Sequence, residues 1–168
     1  MSIAETERLK LREFAEGDAA FVVALVNDPA WLRFIGDRNV HSPDEARTYL
    51  DNGPIRSYAK HGFGLYAVML RSDDTPVGMC GLIKRDELDD VDLGFAFLPG
   101  ARGQGYAREA AGAVLELART KHGLGRLVAI VAPDNGPSIR LLGDLGFTFE
   151  REHVRDGKDP TDLYARNL

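Results

Sequence analysis

Phe95-Ala-Phe-Leu-Pro-Gly-Ala-Arg-Gly-Gln-Gly-Tyr-Ala107 runs from an apolar strand through a glycine-rich turn into the start of a helix. From there Ala107, Ala110, Ala111, Val114, Leu115 and Ala118 fall at helical spacing and mark one face. Glycines at a helix N-terminus leave backbone N–H groups uncovered. The segment therefore reads as strand, anion cradle and helix, with Arg102 adding a cation. Two familiar phosphate motifs fail just past the glycines. A Walker loop needs Lys and then Ser or Thr where Tyr106-Ala107 stands, and a dinucleotide fingerprint needs a small residue where Arg108 stands. The missing lysine also disfavours a nucleotide-dependent phosphotransferase.

Working outward, the 168 residues suit one domain over 1–168, large enough to bury roughly 70% of the unfolded surface. A hydrophobic content of 44% and a charged content of 28% are ordinary for a globular chain. The net charge of −5 lacks the basic balance of a nucleic-acid binder, so no nucleic-acid partner is expected. No apolar run approaches the ~20 residues of a membrane helix, and Met1-Ser-Ile-Ala-Glu-Thr-Glu7 is acidic, unlike a signal peptide. No membrane partner and a cytoplasmic location are the expectation. Cys80 is the lone cysteine, which excludes an internal disulfide and a Cys-based zinc site. No metal is expected.

Arg8–Glu13 alternates as a strand, and Asp18 stands where it would cap a helix over Ala19–Val26. Trp31–Gly36 reads as an apolar loop or short helical turn, with Trp31 and Phe34 as core. Ser42-Pro43-Asp44-Glu45 starts a helix that should end near Asn52-Gly53-Pro54, with a second piece reaching Gly62. Three strands come next, over Phe63–Leu70, Pro76–Lys84 and Val91–Leu98. The acidic loop Asp86–Asp90 between the last two reads as solvated, or as a rim attracting a cationic amine. The long helix closes at His122-Gly123. Arg126–Ala132 is a strand, Asn135–Leu145 a helix closed by Gly146, and Phe147–Arg155 with Thr161–Arg166 a hairpin.

Three motifs carry a resemblance. Arg102-Gly-Gln-Gly-Tyr-Ala107 resembles the R/Q-x-x-G-x-G/A acyl-CoA loop of the GNAT superfamily of N-acetyltransferases. Thr6-Glu-Arg-Leu-Lys-Leu-Arg12 and Asn135-Gly-Pro-Ser-Ile-Arg-Leu-Leu-Gly-Asp-Leu-Gly-Phe147 resemble the branch that includes the ribosomal-protein N-terminal acetyltransferases. The element order matches across the whole chain. The resemblance implies the GNAT fold, an α/β (α+β) architecture whose mixed, mostly antiparallel central sheet has about seven strands flanked by about four helices.

The same resemblance implies a function and a site. The function is transfer of an acetyl group from acetyl-CoA to a primary amine by direct attack, without a metal. The amine is a protein or peptide N-terminal α-amine or a small molecule, and the family pattern includes homodimers. Arg102, Gly103, Gln104, Gly105, Tyr106 and Ala107 would hold the CoA pyrophosphate. Phe97 and Leu98 would face the pantetheine, paired with it as a false strand. Asn135 would bind the pantetheine arm, Ser138 would lie near the acyl sulfur, and Arg140 would reach the adenosine phosphate. Many relatives place a tyrosine, the acid for the thiolate, where Leu142 stands here, so Ser138, a water or another tyrosine such as Tyr164 takes that role. Asp92, at the start of the strand whose far end meets the cofactor, would act as base through a water; His41 is an alternative. A non-catalytic acyl-CoA-binding or sensor module is the competing reading, supported by Leu142.

Overall fold

The computed structural model describes Met1–Leu168. Strands form where apolar residues alternate or run together: β1 (Ala4–Glu5), β2 (Leu9–Arg12), β3 (Leu65–Leu70), β4 (Pro76–Ile83), β5 (Asp92–Phe97), β6 (Arg126–Val131), β7 (Thr148–His153) and β8 (Thr161–Asn167). Helices are α1 (Ala19–Val26), α2 (Pro29–Phe34), α3 (Pro43–Leu50), α4 (Arg56–His61), α5 (Tyr106–Thr120) and α6 (Gly136–Asp144). The strands make one eight-stranded sheet in the order β1-β2-β3-β4-β5-β6-β8-β7. Every neighbouring pair is antiparallel except β5 and β6. The strand beyond the expected set is β1, whose two residues pair with Leu11 and Lys10 and are too few to carry an alternation signal. At the opposite edge β7 is exposed along nearly its whole length, with a bulge between Phe149 and Arg151.

Because side chains alternate across a strand, each face of the sheet collects its own core. On one face Leu9, Leu11, Tyr66, Val68, Cys80, Leu82 and Leu93 pack against Ala110, Ala111, Val114 and Ala118 of α5. On the other, Ala67, Met69 and Met79 meet Val22, Leu25 and Val26 of α1 and Ala46 and Leu50 of α3. The register Gly81↔Gly94 and Ile83↔Asp92 puts Asp92 and Gly94 on this second face.

Two local expectations are corrected. Asp18 does not cap α1 with its side chain. Its carboxylate accepts from Arg12 Nη1 and Nη2, each at 2.8 Å, and from the Ala15 amide at 2.9 Å. Burial raises its pKa, but the Arg12 and Ala15 hydrogen bonds outweigh burial and hold it below the usual carboxylate range. A depressed pKa contributes stability above the unfolded value and loses it as pH falls through the folded one. Asp18→Ala should therefore cost about 2 kcal/mol at pH 7, with the difference closing below pH ~3.9. Urea unfolding at neutral and acid pH checks this; equal stability at pH 7 would mean the pair contributes nothing.

The second correction concerns Asn52-Gly53-Pro54. The helix does not stop there but continues through a π-helical turn, Asp51–Ile55, into α4, which ends on left-handed Gly62. Proline ends an α-helix because its ring meets the carbonyl four residues back; the wider turn accommodates Pro54. Pro54 of this turn and Tyr58 of α4 crowd Gly64, just before β3. A Cβ at Gly64 would lie 2.7 Å from the Tyr58 ring, and one at Gly81 would overlap the Gly64 carbonyl oxygen.

Candidate active site

The site begins where the sheet opens. Strands β5 and β6 are joined at a single register pair, Asp92↔Val128, with Val128 N–H donating to the Val91 carbonyl at 3.1 Å. Beyond it they diverge. The Leu98 amide donates to Val77 on β4, and the Val91 carbonyl faces β6. Strand alternation then puts the backbone groups of Leu93, Phe95 and Phe97 on the open edge. Phe97, expected to face pantetheine, is on that edge, though its carbonyl accepts from Arg102 Nε at 3.1 Å. Leu98 commits its amide to β4.

At the open end the chain turns into α5. Gly103 (φ +76°) and Gly105 (φ +83°) are left-handed, a conformation that favours glycine. The amides from Gly103 to Arg108 have no acceptor in the protein, as expected of a loop and a helix's first turn. A Cβ at Gly103 would meet open space. These uncovered amides form an anion cradle. The Gln104 side chain folds back, donating to the Gly100 carbonyl at 2.9 Å.

The cations near this cradle are braced elsewhere. Arg102 pairs with Asp28, a buried carboxylate that also accepts from the Ala30 and Trp31 amides and so caps α2. Arg8, for which the sequence suggests no role beyond its strand, donates to the Gln104 carbonyl at 2.8 Å and lies 4.6 Å above the Tyr106 ring. Glu109 holds Arg8 through Nε at 2.8 Å and the backbone amide at 2.9 Å. Ala107 packs on the core, and Arg140 is exposed beside Gly136.

The opening between the strands continues into a cavity of ≈ 480 Å³. Asp92, Gly94, Phe95 and Ala96 of β5 line it, facing Ala129–Val131 of β6 and Asn135, Ser138 and Leu142 of α6. Asp92 is 1% exposed. Its Oδ2 accepts from Arg85 Nε at 3.0 Å, while Oδ1 has no partner. Burial raises its pKa, opposed by Arg85. Asn135 is the N-cap of α6, accepting from the Ser138 amide at 3.4 Å, and the Ser138 hydroxyl makes no hydrogen bond. Leu142 is an apolar wall, 1% exposed.

Several expectations shift. Tyr164 lies outside the cavity, packed edge-on against Phe149 of β7, as does exposed His41. Tyr49, read as a residue of its helix face, lines it; burial pushes its phenol pKa up, with Arg38 and Arg85 opposing. Trp31 and Phe34 line it too, and Trp31 is both core and wall. Of the acidic loop, no residue from Asp86 to Asp90 lines the cavity, and Asp90 is held by Arg126 at 3.0 Å. Its walls carry Arg38, Arg56, Lys60, Lys84 and Arg85 instead. No group of three or more His, Cys, Asp or Glu converges for a metal, and no helix is long and apolar enough to cross a membrane.

A cradle for phosphate leads into a strand-shaped slot that ends on a buried carboxylate. That shape suits a co-substrate anionic at one end and reactive at the other, as an acyl-CoA-dependent transferase requires. The sequence model of the acetyltransferase (GNAT) domain matches residues 8–148, and the chain belongs to that family. GNAT enzymes use acetyl-CoA as co-substrate. The uncovered amides of Gly103–Arg108 and the free edges of Phe95 and Ile130 are suited to hold it. YnaD, an uncharacterized N-acetyltransferase of Bacillus subtilis, is 28% identical over 162 residues, covering 95% of this chain and 92% of that protein. An acetyltransferase of Agrobacterium tumefaciens has the same fold, with TM-score 0.84 at 23% identity over 98% of this chain and 94% of that one. The ribosomal-protein-S5-alanine acetyltransferase of Vibrio fischeri also shares the fold, with TM-score 0.81 at 19% identity over 99% of this chain and 96% of that one.

Proposed function

We propose that this acetyltransferase, acting in the cytoplasm as a single domain, transfers acetyl to a primary α-amine by direct attack. The reading rests on one observation: the free Oδ1 of buried Asp92 at the closed end of the strand opening. Acetyl-CoA supplies the acetyl group as a thioester. The amine must arrive neutral. Deprotonating a lysine-like amine at pH 7 costs about 4.6 kcal/mol, an α-amine near pKa ~7.8 only about 1 kcal/mol. Asp92 Oδ1 takes the proton, directly or through one water, and a carboxylate of raised pKa suits the weaker task. The edge amide of Phe95 or Ile130 polarises the carbonyl. The Ser138 hydroxyl, unengaged on the opposite wall, donates to the departing thiolate.

Ser138→Ala should lower kcat about tenfold, the loss of one hydrogen bond to a charged group, with KM for acetyl-CoA little changed. Steady-state kinetics check it, and unchanged turnover would remove Ser138 from the mechanism. Leu142 favours a second reading, an acyl-CoA-binding module without turnover, because no tyrosine acid stands at that wall. Mass spectrometry of an amine and peptide panel incubated with acetyl-CoA separates the two: product supports the transferase, and binding without product supports the module.

A further inference from the structure

The cavity opposes the chain in charge. The chain has 21 Lys and Arg against 26 Asp and Glu, yet the cavity is lined by Arg38, Arg56, Lys60, Lys84 and Arg85 with Asp92 as its one carboxylate. Of these cations only Arg85 has a carboxylate partner, Asp92. Lys84 donates to the backbone carbonyls of Arg85, at 2.9 Å, and Leu88, and Arg38 lies against the Tyr49 phenol. Two further donors are stranded: the buried Nε1 of Trp31, itself a cavity wall, and the buried Nε of Arg155. Arg155 lies within electrostatic reach of Arg38, Arg85 and Asp92, and burial and Arg85 push its pKa down. Exposed Glu87 and buried His153 adjoin this group from the surface side. Cations outnumber carboxylates even with Glu87 included.

The glycine loop does not account for these charges. It lies past the far end of β5, and five residues at ~3.3 Å each separate Asp92 from Phe97 by about 17 Å. Arg85 and Arg38 lie at the closed end, where the acceptor must approach Asp92. Arg56 and Lys60 are exposed and solvated, but half-buried Arg38 has no carboxylate partner, and an anion reaching it would gain a charge-assisted contact. A second cation would be repelled there.

Resting on the acetyl-transfer reading, we infer that the acceptor amine carries a carboxylate of its own, held by Arg38 beside Arg85 while Asp92 Oδ1 receives the ammonium proton. The chemistry is that of an acidic peptide N-terminus or a free amino acid. Polyamines and basic N-termini are excluded by the same charges.

The test measures binding apart from turnover. CoA-saturated protein is titrated calorimetrically with an amidated tripeptide beginning with aspartate, its asparagine counterpart, free aspartate and spermidine. The aspartyl peptide or free aspartate should bind at least about tenfold tighter than the asparaginyl peptide, one charge-assisted contact's worth. Which of the two binds tighter tells peptide from free amino acid. Arg38→Gln should bring the ratio near one, and Arg38→Lys should restore part of it. Arg38→Met, which keeps the apolar stem without the charge and should likewise bring the ratio near one, serves if Arg38→Gln does not fold, as judged by its CoA-induced thermal shift. Equal affinities, tightest binding of spermidine, or discrimination that survives Arg38→Gln would overturn the inference. Turnover assayed in parallel keeps the two readings apart. Anion-selective binding without product removes the transferase reading alone, and product without acid preference removes the anion site alone.

Discussion

Asp92→Asn is expected to lower kcat/KM for the acceptor by about 10²–10⁴ at pH 7, the span of a general base, while CoA still binds. The amide is the same size, so the cavity keeps its shape, but Oδ1 no longer takes a proton. Arg85 loses its only carboxylate partner, and some stability goes with it. The pH profile isolates the chemistry. Above the α-amine pKa of ~7.8 the acceptor arrives neutral, so the deficit should shrink as pH rises. A purely structural role would leave the deficit constant. Wild-type kcat/KM at pH 7 would remove Asp92 from the mechanism.

Gly105→Glu should abolish CoA binding without unfolding the chain. Gly105 is left-handed, so any side chain is strained by about 1–2 kcal/mol. Its Cβ would lie 3.2 Å from Arg8 Nη2, the one guanidinium nitrogen without a hydrogen-bond partner, which need shift only a few tenths of an ångström. The new carboxylate would sit in the amide cradle and compete with phosphate for the same donors. Losing two charge-assisted hydrogen bonds at about 1.5–3 kcal/mol each weakens binding by roughly 10²–10⁴. Gly105→Ala, with the strain and no charge, should lose far less. Thermal unfolding with and without CoA reads both variants. A shift retained in Gly105→Glu would mean that the glycine loop is only a turn.

The order of elements along the chain was legible where local signals were strong. The face from Ala107 to Ala118, the Ser42-Pro43 helix start and the glycine at 146 all carry their information within a few residues. Asp92, Asn135 and Ser138, singled out in the sequence, line one cavity at the strand opening. The continuation through Pro54 was not legible, because Asn52-Gly53-Pro54 reads locally as a helix stop and the wider turn that absorbs the proline has no sequence pattern of its own. The cationic wall was hidden for a related reason. Arg38, Arg56, Lys84 and Arg85 come from a loop, a helix and a strand end far apart in sequence. The acidic loop between β4 and β5, conspicuous in sequence, faces outward and commits Asp90 to Arg126. Arg8 stands in a strand pattern and in the Thr6–Arg12 motif, neither of which gives it a role of its own; its bond to the Gln104 carbonyl forms only once β2 lies beside α5.

The outer edge of the sheet bears on how the protein behaves when crowded. An exposed edge strand is a template on which another copy can add its own, the first step toward fibres. Here β7 offers that edge, but Glu150, Arg151 and Glu152 place charge along it and the bulge after Phe149 breaks the flat ladder that a newcomer would need. At the other edge β1 ends after two residues. Both borders of the sheet thus resist aggregation, and concentrated protein should stay free of edge-to-edge growth.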